Sequence, residues 1–177
     1  LRKEEKLAPE RMLAESQGLL SKRLGVDVDL VRRAVARATL SVTEDVVIKG
    51  TKEVLKELKE RGHVVVTAGN VMLWPSSYTR LILERYGLAD HMDKQFYSDE
   101  VGAYKPMREF FEKVIEYLGV RPDEIVHIGD TKEEDFDGAL KAGLRAVLIN
   151  PRGEGRRKVG ERGYEVKGVK GVLEMFG

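Results

Sequence analysis

The chain has no cysteine, which excludes disulfides, thiol nucleophiles and thiolate-held metals together. It also has almost no net charge. Basic residues number 31 and acidic residues 30, so no overall field draws it to nucleic acid or to a membrane surface. No apolar run reaches the roughly 20 residues that a membrane-spanning helix needs, and the start carries no signal-peptide pattern. The default expectation is a cytoplasmic protein with neither nucleic acid nor membrane as a partner. Internal repeats and low-complexity segments are missing as well. What is plentiful is charge: 34% of the 177 residues are Asp, Glu, Lys or Arg, a balance suggestive of a thermophilic source. A chain of this length is expected to form one domain with a sizeable core and a small insertion.

The pattern divides in two. Residues 1–45 read as helix only. Met12, Leu13, Leu19, Leu20 and Leu24 form one apolar face, Gly25 breaks it, and Asp27 or Asp29 caps a second helix through Val31, Val35 and Ala38. Residues 46–177 alternate between the two periodicities. Thr51 can cap a helix through Val54, Leu55 and Leu58, and a strand then ends at Thr67. Pro75-Ser76 opens a helix closed by Gly87, and a weaker strand, Gln95 to Ser98, follows. A helix from Phe110 to Leu118 stops at Gly119, strands follow at Ile125 and at Ala146 to Ile149, and a short helix closes the chain from Gly168. This alternation predicts an α/β fold, a doubly wound parallel sheet with right-handed crossovers.

The chemistry concentrates at three places. The apolar strand Ile125, Val126, Ile128 stops at Gly129-Asp130, and Asp135 falls in the first turn of the next helix. Two carboxylates converging there would make a hard, oxygen-rich site suited to Mg²⁺, at the strand end where open α/β sheets bind ligands. Thr67-Ala68-Gly69-Asn70 ends another strand with a hydroxyl and a turn, and Lys105 precedes Pro106 ahead of a periodic helix. A hydroxyl, an ammonium and an acidic metal site are what binding a phosphoryl group requires. Elsewhere the signals are blander. His63, His91 and His127 are scattered, and His127 reads as a packed sheet residue. Trp74 either lines a pocket or packs between the two segments. Arg152, Arg156, Arg157 and Lys158 read as a solvated helix face, and Asp99 and Glu100 as surface acids.

Over roughly Val46 to Asn150 the sequence resembles the haloacid dehalogenase (HAD) superfamily, phosphatase type, with phosphoglycolate phosphatase-like members. Thr67 matches the family's second motif, Lys105 the third, and Asp130 with Asp135 the fourth, GDxxxxD. The resemblance implies a Mg²⁺-dependent phosphatase acting on a small phosphorylated metabolite through an aspartyl-phosphate intermediate. Thr67, Ala68, Gly69 and Asn70 would bind the phosphoryl oxygens, with Thr67 hydrogen-bonding them. Lys105 would neutralise them, and Asp130 with Asp135 would hold the metal. It also implies that residues 1–45 form a small helical cap. Dehalogenation fits GDxxxxD and the TxGN turn less well.

One departure stands out. The family's first motif, DxDxT, is not found in the 177 residues, which open on the charged stretch Leu1 to Lys6. In the family fold the strand bearing it is central, between the strands at Thr67 and Asp130. Its absence would expose two rows of unpaired backbone groups. The expectation is therefore that about 10–15 residues are omitted or that another segment fills the slot, strand exchange in a homo-oligomer included. The chain as written is expected to be inactive. A non-catalytic binding or assembly subunit is the alternative; a receiver-like signalling domain fits less well, lacking an aspartate after an early central strand.

Overall fold

The computed structural model describes residues 11–176; the charged start and the first ten residues of the expected helical segment lie outside them. The chain then forms α1 (Met12–Leu24) and α2 (Val28–Leu40). Gly25 ends α1 at φ 65, a left-handed cap that glycine adopts without steric penalty. The buried face of α1 is Met12, Ser16 and Gln17 rather than the expected leucine stripe, and Leu24 is 62% exposed. Met12 seats against Tyr104 and Met107, while Gln17 donates to the Leu73 carbonyl at 2.9 Å, so those contacts set the helix rotation. Of the two candidate caps for α2, Asp27 is the one used: its carboxylate accepts the Asp29 N–H at 2.8 Å.

The rest alternates as α3 (Thr51–Glu60), β1 (Val66–Gly69), α4 (Ser76–Arg85), β2 (Lys94–Tyr97), α5 (Ser98–Val101), α6 (Arg108–Leu118), β3 (Val126–Gly129), α7 (Gly138–Lys141), β4 (Arg145–Ile149), β5 (Arg157–Val159) and β6 (Gly163–Val166). A π-helical turn, Lys132–Asp137, leads into α7, and a 3₁₀ segment, Val169–Met175, closes the chain. Some boundaries differ from the expected ones. Gly50, at φ 89, is the N-cap of α3, and Thr51 is its first residue. The first strand runs on to Gly69 and starts only at Val66, because the Val65 N–H is taken by the Asp93 carboxylate at 2.8 Å. Arg157 and Lys158, expected on a helix face, lie on β5, an edge strand antiparallel to β6. Basic side chains suit an edge, and Arg157 ties back to Glu165 at 2.8 Å. Asp99 and Glu100 are not idle surface acids. They receive the Ser76 N–H and hydroxyl at 2.9 and 2.8 Å and so anchor the positive end of α4.

Pairing divides the strands into two sheets. β1 and β2 form a parallel pair, and β3-β4-β6-β5 form a second sheet in which only β5 runs antiparallel. Among the described residues, no strand lies against the free edge of β1 or of β3. The Val65 and Ile125 carbonyls turn to β2 and β4, accepting the Asp93 and Arg145 N–H groups at 2.8 and 2.9 Å. Because main-chain groups alternate along a strand, those of Val66, Ala68, Val126 and Ile128 face the gap. The gap is a cavity of about 290 Å³ walled by apolar side chains, including Leu55 and Leu58 of α3, Val114 of α6 and Val172 near the chain end. Of the two expected outcomes, unpaired edges or a slot filled by another segment, the described residues show the edges unpaired.

The core is built on α6. Phe110 and Phe111 pack at 6.0 Å between ring centroids, edge to face, and reach two clusters, one against β1 and β2 and one against β3, α7 and β4. Phe110→Ala should therefore destabilise the fold by about 3–5 kcal/mol, whereas Leu24→Ala should change it by less than about 0.5 kcal/mol. Urea unfolding of the two variants beside the wild type checks the contrast.

Candidate active site

Both free edges end at one place. Lys105, on the loop between α5 and α6, extends across the mouth of the gap, its side chain 9% exposed. Its Nζ donates to the Ala68 carbonyl of β1 at 2.6 Å and to Asp135 Oδ1, beyond β3, also at 2.6 Å. The main chain of Lys105 is held too. Its N–H donates to Asn70 Oδ1 at 2.8 Å, and Asn70 Nδ2 returns a bond to the Lys105 carbonyl at 2.9 Å. The same Nδ2 reaches Glu134 Oε2 at 2.8 Å. One amide side chain at the end of β1 therefore aligns the lysine loop with the turn after β3.

Asp135 is equally committed. Besides Lys105, Oδ1 faces His127 Nε2 at 3.1 Å, and Oδ2 accepts the Thr131 N–H at 3.0 Å. Burial works against its charge, but the His127 bond, the Lys105 ammonium and the Thr131 N–H overcome that. They hold the carboxyl well below the usual carboxylate range. Burial also pushes the His127 ring down from its ordinary value, more than Asp135 lifts it. Gly129 completes the fit: a Cβ there would collide with the Asp135 carboxylate.

Of the residues expected from sequence, the structure brings Asn70, Lys105 and Asp135 into direct contact, with Ala68 supplying its carbonyl. Gly69 is the last residue of β1, and a Cβ on it would strike the Tyr97 ring at 2.8 Å. Thr67 is turned elsewhere: its hydroxyl lies 2.9 Å from Met92 Sδ. Asp130 is exposed just past β3. His127, a packed sheet residue by sequence, joins the site through Asp135. The signal was its period-two spacing with Gly129, which puts both on the face that Asp135 covers.

Mg²⁺ usually keeps several waters and takes one or two carboxylates together with a substrate phosphate. Asp130, exposed at a strand end, has the chemistry of such a ligand. Asp135 suits an ammonium better, since each oxygen already serves a donor. Among the described residues, no group of three or more His, Asp or Glu is placed to hold a metal by itself.

A buried ion pair broken on one side leaves the other charge uncompensated, a loss on the order of 3–5 kcal/mol. Asp135→Asn should lose stability on that scale at neutral pH. The folded carboxyl titrates below the ordinary 3.8, so its contribution is fully present above that pH and disappears as pH falls through the folded value. The gap between wild type and Asp135→Asn in urea unfolding should be flat from about pH 7 to 5 and shrink below about pH 4.

The profile of haloacid dehalogenase-like hydrolases matches residues 4–143. Among curated proteins, a glyceraldehyde 3-phosphate phosphatase from Methanopyrus kandleri is 32% identical over 136 residues, covering 74% of this chain and 56% of its own length. Another, from Methanothermobacter thermautotrophicus, is 32% identical over 103 residues, covering 56% of this chain and 43% of its own. The chain thus spans about half the length of these relatives. Among solved structures, a HAD phosphatase from Thermococcus onnurineus superposes with a TM-score of 0.63 at 27% identity, covering 96% of this chain and 91% of that one. Alternating parallel topology, a lysine latched between two strand ends and these matches agree, and the chain belongs to the haloacid dehalogenase-like hydrolase family.

Proposed function

We propose that the protein is a phosphomonoesterase acting on a small phosphorylated metabolite. The observation that carries the reading is the buried Lys105–Asp135 pair, which fixes an ammonium at the carboxyl ends of β1 and β3. Lysine acts on a phosphoryl group as a point charge, and one held on a carbonyl and a carboxylate needs no reorganisation when the substrate arrives. Asn70 holds the lysine loop in register. Main-chain N–H groups after β1, with Thr67 if its hydroxyl leaves Met92, would receive the phosphoryl oxygens.

Asp130 is assigned to Mg²⁺, and Asp135 to Lys105. When bound, the metal would offset charge on the phosphoryl oxygens. The nucleophile of an aspartyl-phosphate route has to enter between β1 and β3, where the described lining of the gap holds no carboxylate. A strand seated there, with an aspartate at its carboxyl end, would pair both free edges and deliver that group beside Lys105. The same feature favours a second reading: a subunit that binds phosphate, takes its central strand from a partner or a second copy, and does no chemistry.

The test is hydrolysis of p-nitrophenyl phosphate with Mg²⁺. A polypeptide of these 177 residues alone should show no turnover, and turnover should appear once an aspartate-bearing strand fills the gap. In the active form, Lys105→Met should cost at least about a hundredfold in turnover, and Asp130→Asn should abolish stimulation by Mg²⁺. Full activity in Lys105→Met would overturn the site. No activity with the gap filled would leave the binding-subunit reading.

A further inference from the structure

His127 lies on β3, facing the turn that carries Asp135. An ionised carboxylate can only accept, so the contact of 3.1 Å requires the proton on Nε2. Asp135 Oδ1 is then shared by two donors, while Oδ2 has the Thr131 N–H. The Thr131 bond alone fixes one oxygen and leaves the carboxylate free to turn about it. The imidazole removes that freedom. Its own ring is wedged edge-on against Phe111, at 5.4 Å and 89°, and Phe111 is 1% exposed. That contact keeps the ring from turning away from Asp135 on the Phe111 side. A continuous line of contacts results: the β3 backbone carries the ring, the ring holds the carboxylate, the carboxylate holds the ammonium, and the ammonium meets the Ala68 carbonyl on β1.

We propose that His127 is a positioning residue, whose Nε2–H locks the Asp135 carboxylate and thereby fixes where the Lys105 ammonium stands. Its consequence for phosphate binding rests on the phosphomonoesterase reading. Its consequence for the lysine does not. The alternative is that the ring only fills space beside Phe111. The two differ over which replacement works. Glutamine carries an N–H at the reach of Nε2, asparagine is one bond shorter, and leucine keeps the bulk without a donor. A space-filling role ranks leucine first and treats the two amides alike. A positioning role makes glutamine the only rescue.

Two readouts separate these. One is the ¹H–¹⁵N signal of the Lys105 ammonium, identified by its loss in Lys105→Met. The other is the affinity for inorganic phosphate, followed by ³¹P NMR. His127→Gln should keep the ammonium signal and a phosphate affinity within about threefold of wild type, whereas His127→Leu and His127→Asn should lose the signal and weaken phosphate about tenfold. If His127→Leu keeps the signal, or both amides lose it alike, the proposal is wrong. A wild-type ammonium too mobile to give a signal overturns it too. If the signal follows the expected ranking while wild type binds no phosphate, the phosphomonoesterase reading fails and the positioning role of His127 stands.

Discussion

The site depends on one ion pair at the mouth of a split sheet. Lys105 touches β1 through the Ala68 carbonyl and the region after β3 through Asp135. It thus joins two half-sheets that share no ladder hydrogen bond among the described residues. Removing two charges from water is costly, and a buried pair is tolerated only where further bonds satisfy what the pair leaves over. Here three donors converge on Asp135, and Asn70 grips the lysine main chain from both sides. The polar latch is confined to the carboxyl ends of the strands. Deeper in the gap the walls are apolar.

That division of labour ties fold to chemistry. Parallel strands gather their carboxyl ends at one rim, where open α/β sheets bind ligands. The same gap leaves the main-chain groups of Val66, Ala68, Val126 and Ile128 without a strand partner among the described residues. An extended segment lying parallel between β1 and β3 would satisfy both rows and place its last side chain beside Lys105. In the proposed reading, the unpaired edges of β1 and β3 among the described residues and the place where a nucleophile would stand are one feature seen from two directions.

Much of this was legible in sequence. Alternating periodicities marked the helices and parallel strands, and Gly25 and Gly119 marked helix ends through left-handed caps that the structure retains. Lys105, Asp135 and Asn70 stood out as candidates and meet in space. Other features were not legible for identifiable reasons. β5 and β6 are only three and four residues long, so neither shows a clear alternation, and only their pairing defines them. The burial of α1 through Met12 and Gln17 follows from partners 56 to about 90 residues away, which no local window samples. His127 looked like packing because a ring on a strand has the same pattern whether or not it donates to a carboxylate.

Composition and local pattern by themselves determined the α/β class, the placing of Asn70 and Asp130 just past strand ends and the exclusion of thiol chemistry. These depend on side-chain type and short-range periodicity. Only the tertiary structure shows which partners each charge meets. GDxxxxD suggested two carboxylates meeting on a metal, yet Asp135 turns inward to an ammonium and an imidazole while Asp130 stays exposed. Spacing sets which side chains share a turn. The direction a carboxylate takes is set by the strongest donors that the fold brings within 3 Å or so, and in this chain those donors come from segments that sequence distance keeps apart.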